Sequence, residues 1–373
     1  MTIDDKRRQK SEEITVLKQP LLNDQASSSV KRTKFTSPNP HTKDSNYSRT
    51  HQNSVTNKLL ITTDKVGIRH DTRMNIGIIT ATNGKTDLDV ILKQFNTNTH
   101  ISQNTMKVLA IMMQQFTQGQ HGIISIRVEE LAGYLGKKNI KKAREAIKGE
   151  LDNIRNMNLK VDGKFYISAD LCQTAIIRNG TVYFEFNNVF KEYLLKGNLM
   201  PINMKLFSIT SNPQNNQYVW CIGWKIHVQA KLNQYKEKNK NHIFRMSVKT
   251  LLETCYGSGM PSYEEVMSKT RHVGRFIIDP IECALNTLSY EGIIGDWSYE
   301  LKGGGINDYD EVLNEDNPKD NYSIAKDKRY NEWANQYVLI TMPTNYIEEI
   351  APYSKKKAAA QVKLTPNRRK YAK

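Results

Sequence analysis

The sequence predicts an α+β fold in which two units of the chain each place a pair of helices before a β-hairpin. The first observation is that residues 123–186 show helical apolar spacing twice and then β-prone runs. The second is that residues 243–342 repeat this order of elements. The third is that 373 residues with 38% hydrophobic content can fill the cores of about two domains. We therefore expect two domains of similar plan along one chain.

The stretch ahead of the first helix pair is predicted to hold short β-prone pieces and two helices. Residues 59–62 and 76–79 are β-prone, and residues 87–95 have helical spacing. A stronger helix follows Ser102, which is a predicted N-cap. Its apolar stripe consists of Met106, Leu109, Ala110, Met113 and Phe116. This helix is predicted to open the helical part of the first domain, residues 59–205.

Two helices separated by a tight turn are predicted next. Gly136 can adopt the positive φ that ends the first of them, and Asn139 is the predicted N-cap of the second. The apolar residues of the first helix are Val128, Leu131, Ala132 and Leu135. Those of the second recur every three or four positions, at Ile140, Ala143, Ile147, Leu151 and Ile154.

A β-hairpin is predicted directly after this helix pair. Its strands are the β-rich runs 164–167 and 181–186, and Asn179-Gly180 is a turn signal just before the second run. Two helices followed by such a hairpin, or wing, are the order of elements in a winged-helix domain. The second helix of a helix-turn-helix enters the major groove of duplex DNA. The sequence therefore predicts duplex DNA as a partner.

The second domain, residues 206–353, is predicted to repeat that plan. A helix over residues 218–232 is followed by a short strand, and Ser247 caps the next helix. A long turn is predicted from Gly257 to Ser268.

The last helix of the second domain is expected to begin at Asp279, the predicted N-cap, because Pro280 suits a first turn. Two strands, at 293–301 and 337–342, would form the second wing. An acidic insert, residues 302–332, separates them. The four cysteines lie far apart without metal-ligand spacing, so we expect buried small apolar residues, with no disulfide framework and no zinc site.

The charge of the chain favours a polyanionic partner. Its 54 Lys and Arg against 38 Asp and Glu give a net charge of +16. Residues 1–58 are polar with few aromatics and are predicted to be a disordered basic arm. Residues 354–373 form a basic tail with eight cations and no acid. The stretch 296–320 carries eight acids and two lysines, so we expect it to point away from DNA or to stay mobile.

The cations that follow each predicted turn are the candidate DNA-binding residues. Between Lys137 and Arg155 seven cations stand against three acids. A solvated helix face with ion pairs four residues apart is the alternative, but the position at the start of a second helix favours DNA. The residues predicted to contact the edges of the bases are Asn139, Lys142 and Arg144 in the first domain and Arg271, His272 and Arg275 in the second. The full predicted set is Lys137, Lys138, Asn139, Lys141, Lys142, Arg144 and Lys148 in the first domain, with Lys269, Arg271, His272 and Arg275 in the second.

Three segments resemble the plasmid replication initiators that bind repeated origin sequences, or iterons, through tandem winged-helix domains. ISIRVEELAGYLGKKNIKKAREAIKGELDNIRNMNL at 124–159 is similar to the first helix-turn-helix of that family. FIIDPIECALNTLSYEGIIGDW at 276–297 resembles a pattern of its second domain, and VYFEFNNVFKEYL at 182–194 the stretch after its first wing. The resemblance covers roughly residues 100–345. The long arm, the acidic insert and the long turn in the second unit depart from the family's plan.

The resemblance implies a function and partners. Monomers would bind double-stranded origin repeats, open an AT-rich origin and recruit host replication proteins such as the helicase. Dimers formed through the first domain would repress the initiator's own promoter. A winged-helix transcription regulator and a phage replisome organiser are the alternatives, since they use the same DNA contacts.

Enzymatic readings find little support in the sequence. A rolling-circle nuclease needs paired histidines around a metal, and the eight histidines here are isolated. Gly133 to Lys138 lacks the spacing of a phosphate-binding P-loop, and no RNA-binding motif of the RRM or KH type is present. We expect no catalysis, no cofactor and no metal. No apolar run approaches the ~20 residues of a membrane helix, and the first residues, MTIDDKRRQKSEE, lack the apolar stretch of a signal peptide. We therefore expect a soluble cytoplasmic protein without a membrane partner.

Overall fold

The structure of this mixed α/β protein is a computed structural model that describes most of the chain after residue 46. The described residues are 47–62, 69–71, 76–82, 87–92, 101–119, 122–161, 167–195, 197–210, 216–233, 243–300 and 321–346. They belong to one compact unit that spans residues 44–373, and the domain boundary at residue 205 stays a prediction. Most of the predicted arm, the start of the acidic insert and the basic tail lie outside the described residues.

The first described elements differ from the sequence prediction. The disordered arm was predicted to extend to residue 58, but strand β1 (Tyr47–Gln52) and helix α1 (Ser54–Ile61) are ordered elements that begin before that residue. Helix α1 also covers most of residues 59–62, which were predicted to be β-prone. The capping box of Asn53 and Thr56 starts α1. Three strands follow, β2 (Arg69–Asp71), β3 (Ile76–Thr82) and β4 (Asp87–Leu92). The helix predicted at 87–95 is therefore wrong over the described part, because β4 pairs with β3.

The helices of the first unit are α2 (Gln103–Thr117), α3 (Val128–Tyr134) and α4 (Ile140–Arg155), and strand β5 (Ile124–Arg127) lies between the first two. Ser102 caps α2 as predicted, since its side chain accepts from the backbone N–H of Thr105. The stripe of α2, with Met106, Leu109 and Phe116, is buried. This confirms the three helices predicted around the tight turn.

The hairpin after α4 consists of different strands from those predicted for a wing. After α4 come β6 (Met157–Val161), β7 (Ile167–Asp170), β8 (Cys172–Arg178) and β9 (Thr181–Phe186). Ile167, expected in the first wing strand, lies in β7, which pairs with β6 in a five-stranded sheet of order β2-β3-β4-β6-β7. The hairpin is β8-β9, and β5 completes a three-stranded sheet of order β5-β9-β8. Its turn is the predicted one, because Asn179 and Gly180 have φ of 50° and 72°.

A connecting region leads from the wing to the second unit. It contains α5 (Asn188–Leu195), β10 (Asn198–Asn203), the short α6 (Lys205–Ser208) and α7 (Val219–Asn233). Strand β10 pairs antiparallel with β1, so both ends of the first unit meet in one two-stranded sheet. Helix α7 is buried along most of its length, with Trp220, Trp224 and Ile226 in the core.

The second unit shares the strand-helix-helix-hairpin order of the first but adds two helices. It consists of β11 (Ile243–Ser247), α8 (Val248–Tyr256), α9 (Tyr263–Lys269), α10 (Asp279–Tyr290), β12 (Trp297–Tyr299), α11 (Asn321–Ala334) and β13 (Tyr337–Thr341). Its sheet has the order β11-β13-β12, which matches β5-β9-β8 strand for strand. The two added helices are α9 and α11. In sequence, helix α11 lies between the paired strands β12 and β13, and most of it falls within the predicted insert at 302–332.

Two predictions for the second unit are wrong. Helix α9 occupies part of the long turn expected from Gly257 to Ser268. Asp279 is not an N-cap, because a π-helical turn, Gly274–Ile278, runs into α10 with Ile278 and Asp279 both in the right-handed helical region. Pro280 lacks an N–H and cannot bond to the carbonyl four residues back, and a π-turn directly before it accommodates that lost bond. None of the helices in the described part of the chain is long and apolar enough to cross a membrane.

Candidate nucleic-acid interface

Helix α4 is held by one buried side, which fixes the direction in which its polar side points. The buried residues are Ala143, Ile147, Leu151 and Ile154, as predicted. Ile140, the first residue of the predicted stripe, is 38% exposed, so that part of the prediction is wrong. It lies at the first helical position, ahead of the turn that packs. The side chain of Asn139 accepts a hydrogen bond of 3.1 Å from the backbone N–H of Lys142, which confirms Asn139 as the N-cap.

The cations of α4 lie on its exposed surface, and three of them share one side. Lys141, Arg144 and Lys148 are three and four residues apart, which places them above one another on a helix. Lys142 is also exposed but lies on another side of the helix. Lys138 is exposed in the turn, and Lys137 is half-buried. The structure thus brings the first-domain candidates together along the turn before α4 and the first three turns of the helix.

Glu150 does not neutralise this surface, because it is turned toward the start of α2. Ser102 Oγ donates a hydrogen bond of 2.9 Å to Glu150 Oε1, and Thr105 donates to the other carboxylate oxygen. A carboxylate at a helix N-terminus is favoured by the helix dipole. Asp152 is engaged with Arg155, at 3.7 Å. Within the part of the chain that the structure describes, none of the six cations from Lys137 to Lys148 has a carboxylate within 4.0 Å.

The turn before α4 requires glycine. Gly136 has a φ of +66°, and a Cβ atom there would lie 2.4 Å from the backbone oxygen of Ser208. Any side chain at this position would therefore collide with α6 as well as strain the backbone. The N–H of Lys137 closes the turn by donating to the oxygen of Ala132 at 2.8 Å.

Two exposed arginines of the three-stranded sheet are further candidates for DNA contact, and the sequence did not predict them. Arg127 on β5 and Arg178 on β8 are both paired with Thr181 on β9. Residues directly opposite in antiparallel strands share a face, so the three side chains form one row. Both arginines are exposed, while the opposite face holds the buried Val182. The available signal was Arg178 directly before Asn179-Gly180, since a residue beside a hairpin turn lies at the tip.

The second-domain candidates lie where one helix ends and the next begins. Lys269, Arg271, His272 and Arg275 stand between the last turn of α9 and the π-turn before α10. Lys269 pairs with Glu265 at 2.6 Å, and its side chain is 68% exposed. Arg271 has a positive φ of 62°. The guanidinium of Arg275 lies 5.7 Å from the ring centre of Phe276, which is itself partly exposed.

Helix α10 itself differs from α4 in its exposed surface. It contains no Lys or Arg, and its exposed side chains are Asp279, Cys283, Asn286 and Tyr290. Cys283 was predicted to be buried, and this is wrong, whereas Cys172, Cys221 and Cys255 are buried as expected. The positive charge of the second site is therefore confined to the segment in front of α10. No group of three or more potential metal ligands occurs among the described residues.

Comparison with known proteins adds little to this geometry. No protein-family model and no curated protein sequence matches the chain. The chain is similar to a crystal structure of domains 2 and 3 of RctB, with 9% identity and a TM-score of 0.42, over 72% of this chain and 91% of that one. A second crystal structure of those RctB domains has 10% identity and a TM-score of 0.38, over 76% of this chain and 98% of that one. Similarity at this level leaves the function to be argued from the site.

Proposed function

We propose that this protein binds double-stranded DNA in a sequence-specific manner through two tandem winged-helix domains. The observation that carries the proposal is the exposed side of α4, where Lys141, Arg144 and Lys148 have no described carboxylate within 4.0 Å. Ile147 and Leu151 are buried on the opposite side. Cations in such numbers release counterions from a phosphate backbone, and a helix of this size fits the major groove.

The winged-helix assignment is supported by the repeated order of elements. In each unit a helix and a strand precede a set of helices and a hairpin, with α9 added in the second unit and β6 and β7 inserted in the first. In both units the strand joins the hairpin at the side of its second strand. Helix α4, and α10 with its π-turn, then occupy the position of the helix that enters the groove. In the first unit the row of Arg127, Thr181 and Arg178 would contact phosphates from the wing.

The biological setting that we propose is replication initiation. Its support is the resemblance of three sequence segments to the iteron-binding initiators of plasmids, and it places the target at direct repeats beside a plasmid or mobile-element origin. In this proposal the protein acts by binding and recruits host helicase rather than cutting or ligating DNA itself. Repression of its own promoter by a homodimer is the further role that the resemblance implies.

The test begins with selection from a randomised duplex library, followed by titration with the selected duplex at several salt concentrations. We expect a defined motif and an affinity that falls steeply with salt, because several phosphates are neutralised. Equal affinity for every duplex would contradict specific binding, and cleavage of the duplex with magnesium would contradict a purely binding role. A motif found as clustered repeats beside an AT-rich tract supports initiation, whereas a single operator without an origin supports a transcription regulator.

Further variants connect the motif to the site. Replacing Arg144 with Ala should relax base preference at one or two positions, at about 1 to 3 kcal/mol for a lost bidentate contact. Replacing Lys138 with Ala should lower affinity for all sequences alike, since a phosphate contact carries no sequence information.

A further inference from the structure

Helix α6 lies between the two candidate DNA sites and touches elements of both. On one side, the backbone oxygen of Ser208 lies so close to Gly136 that a Cβ atom on Gly136 would be 2.4 Å from it. This is the turn that leads into α4. On the other side, Lys205 Nζ donates to the backbone oxygen of Glu291, the residue after α10, at 3.4 Å. One short helix therefore connects the start of one candidate reading helix to the end of the other.

The packing of α6 is buried and tight. Leu206 and Phe207 are fully buried. A Cβ atom on Gly223 would lie 2.6 Å from Leu206 Cδ1 and 3.0 Å from Leu288 Cδ2, so Leu206 fills the space that the glycine leaves free beside α10. Phe207 packs on Trp220 with ring centres 5.3 Å apart. Well-packed interiors resist displacement, because contacts at this range are lost over fractions of an ångström.

A buried lysine holds the segment that follows α6. Lys107 on α2 is buried, and its Nζ donates to the backbone oxygen of Ile209 while lying 5.8 Å from the ring centre of Trp220. Burying the ammonium group of Lys107 costs solvation free energy. In return, Lys107 joins three elements: helix α2, Ile209 directly after α6, and Trp220 on α7. The two units are thus joined by side-chain contacts as well as by the chain itself.

We propose that α6 is a rigid spacer that fixes the distance and rotation between the two DNA-binding sites, with Leu206 and Lys107 as the positioning residues. The inference rests on the proposed function. On a duplex, one added base pair moves the second sub-site by about 3.4 Å and rotates it by about 35°. Because α6 is tightly packed, the two sites cannot shift relative to each other by this amount without losing the contacts of Leu206 or Ser208. The protein should accordingly accept two sub-motifs at one spacing only.

The experiment selects duplexes of about four helical turns from a randomised library with the full chain. We expect the parent to recover two sub-motifs at a single spacing and to bind duplexes with one base pair more or fewer on the order of tenfold more weakly. Leu206→Ala should recover the same sub-motifs with the spacing penalty reduced to about threefold or less, because the cavity frees α6. Lys107→Met keeps the buried aliphatic part of the side chain but removes the donor to Ile209. It should also reduce the loss of affinity for duplexes with one base pair more or fewer.

A matched control distinguishes the effect of the packing of α6 from the effect of the length of the chain between α6 and α7. Insertion of Gly-Ser-Gly after Thr210 lengthens the connection to α7 but leaves Leu206, Ser208 and Lys107 in place, so the spacing should stay as narrow as in the parent. A spacing that broadens with the insertion and not with Leu206→Ala would overturn the proposal, as would a parent that accepts several spacings. Thermal unfolding is measured for each variant. A melting temperature well above the temperature of the selection shows that the variant was folded during the selection. Failure of the proposed function is a different result, in which the parent recovers no motif at all.

Discussion

The indole N–H of Trp220 on α7 donates a hydrogen bond of 2.8 Å to the backbone oxygen of Leu60 on α1. The next oxygen, that of Ile61, accepts from Ser258 Oγ, also at 2.8 Å. The last carbonyls of a helix have no partner within the helix, so side chains of α7 and of the turn after α8 satisfy the end of α1. An element near the start of the described chain is in this way fixed to the second unit.

Trp220→Phe should therefore destabilise the protein. Phenylalanine keeps most of the buried ring but leaves the buried oxygen of Leu60 without a donor, which costs about 1 to 3 kcal/mol. Denaturant unfolding measures the difference. Trp297→Phe is the control, because its N–H donates to Asn286 at an exposed position and water can replace it. Equal losses for the two variants would contradict this account.

Leu131→Ala and Leu151→Ala should each lower the free energy of unfolding by about 2 to 5 kcal/mol, since both side chains are buried and leave a cavity. Ile140→Ala is a matched comparison on the same helix as Leu151. With 38% of Ile140 exposed, the loss there should stay below about 1 kcal/mol. A loss at Ile140 as large as that at Leu151 would show that the first turn of α4 packs more tightly than its exposure indicates.

Lys141→Ala and Lys148→Ala should weaken binding to every duplex. Each lost phosphate contact reduces the slope of log affinity against log salt by about one unit. The measurement is a salt titration by fluorescence anisotropy. Lys328→Ala, an exposed lysine on α11, is the control and should leave the slope unchanged. An unchanged slope for both α4 variants would remove α4 from the interface.

Arg178→Ala tests the wing in the same titration. Because Arg178 is exposed in a row with Thr181 and Arg127, we expect a slope reduction of about one unit without a change in the selected motif. Lys191→Ala, after the same hairpin, is the comparison, since Lys191 already pairs with Glu185 at 2.7 Å. A changed motif for Arg178→Ala would mean that the wing reads bases instead of contacting phosphates.

His227 should make the protein less stable in mild acid. Burial lowers the pKa of His227 from 6.5 to about 4, and the neutral ring accepts from the N–H of Asn203 at 3.2 Å. Between pH 6.5 and about 4 the unfolded chain binds a proton that the folded protein does not, so stability falls as the pH drops through this window. The loss is about 1.4 kcal/mol for each pH unit. Unfolding at pH 7 and pH 5 measures it.

His227→Gln provides the reference for that measurement. Other titrating groups affect both proteins equally, so the difference between their pH profiles isolates residue 227. The variant should be less stable at pH 7 and should lose less on acidification. Parallel profiles for the two proteins would contradict a neutral buried histidine.

The elements that sequence could predict are those whose signals are local. The α3-turn-α4 arrangement follows from helical spacing, Gly136 and Asn139, and the hairpin turn follows from Asn179-Gly180. Strand β4 was predicted as a helix because a run of six residues fits both periods, and its pairing with β3 and β6 decides the matter. The membership of Ile167 in another sheet is likewise set by partners distant in sequence.

The candidate site shows the same division. The cations of α4 were predictable because a single helix presents them. Arg127 and Arg178 are neighbours only because two strands both pair with Thr181, and nothing within either strand indicates it. The engagement of Glu150 by Ser102 and Thr105 joins α4 to α2, so the counting of charges along α4 overstated its acidity.

The position of Glu150 also bears on attempts to engineer tighter binders. Removing acids from a basic helix is a common route to higher affinity for polyanions. Here the carboxylate of Glu150 accepts hydrogen bonds from Ser102 and Thr105, so neutralising it would weaken a contact between α4 and α2. Glu145 is an exposed acid on α4, four residues after Lys141 and three before Lys148, so an optimised variant should keep Glu150 and replace Glu145 instead.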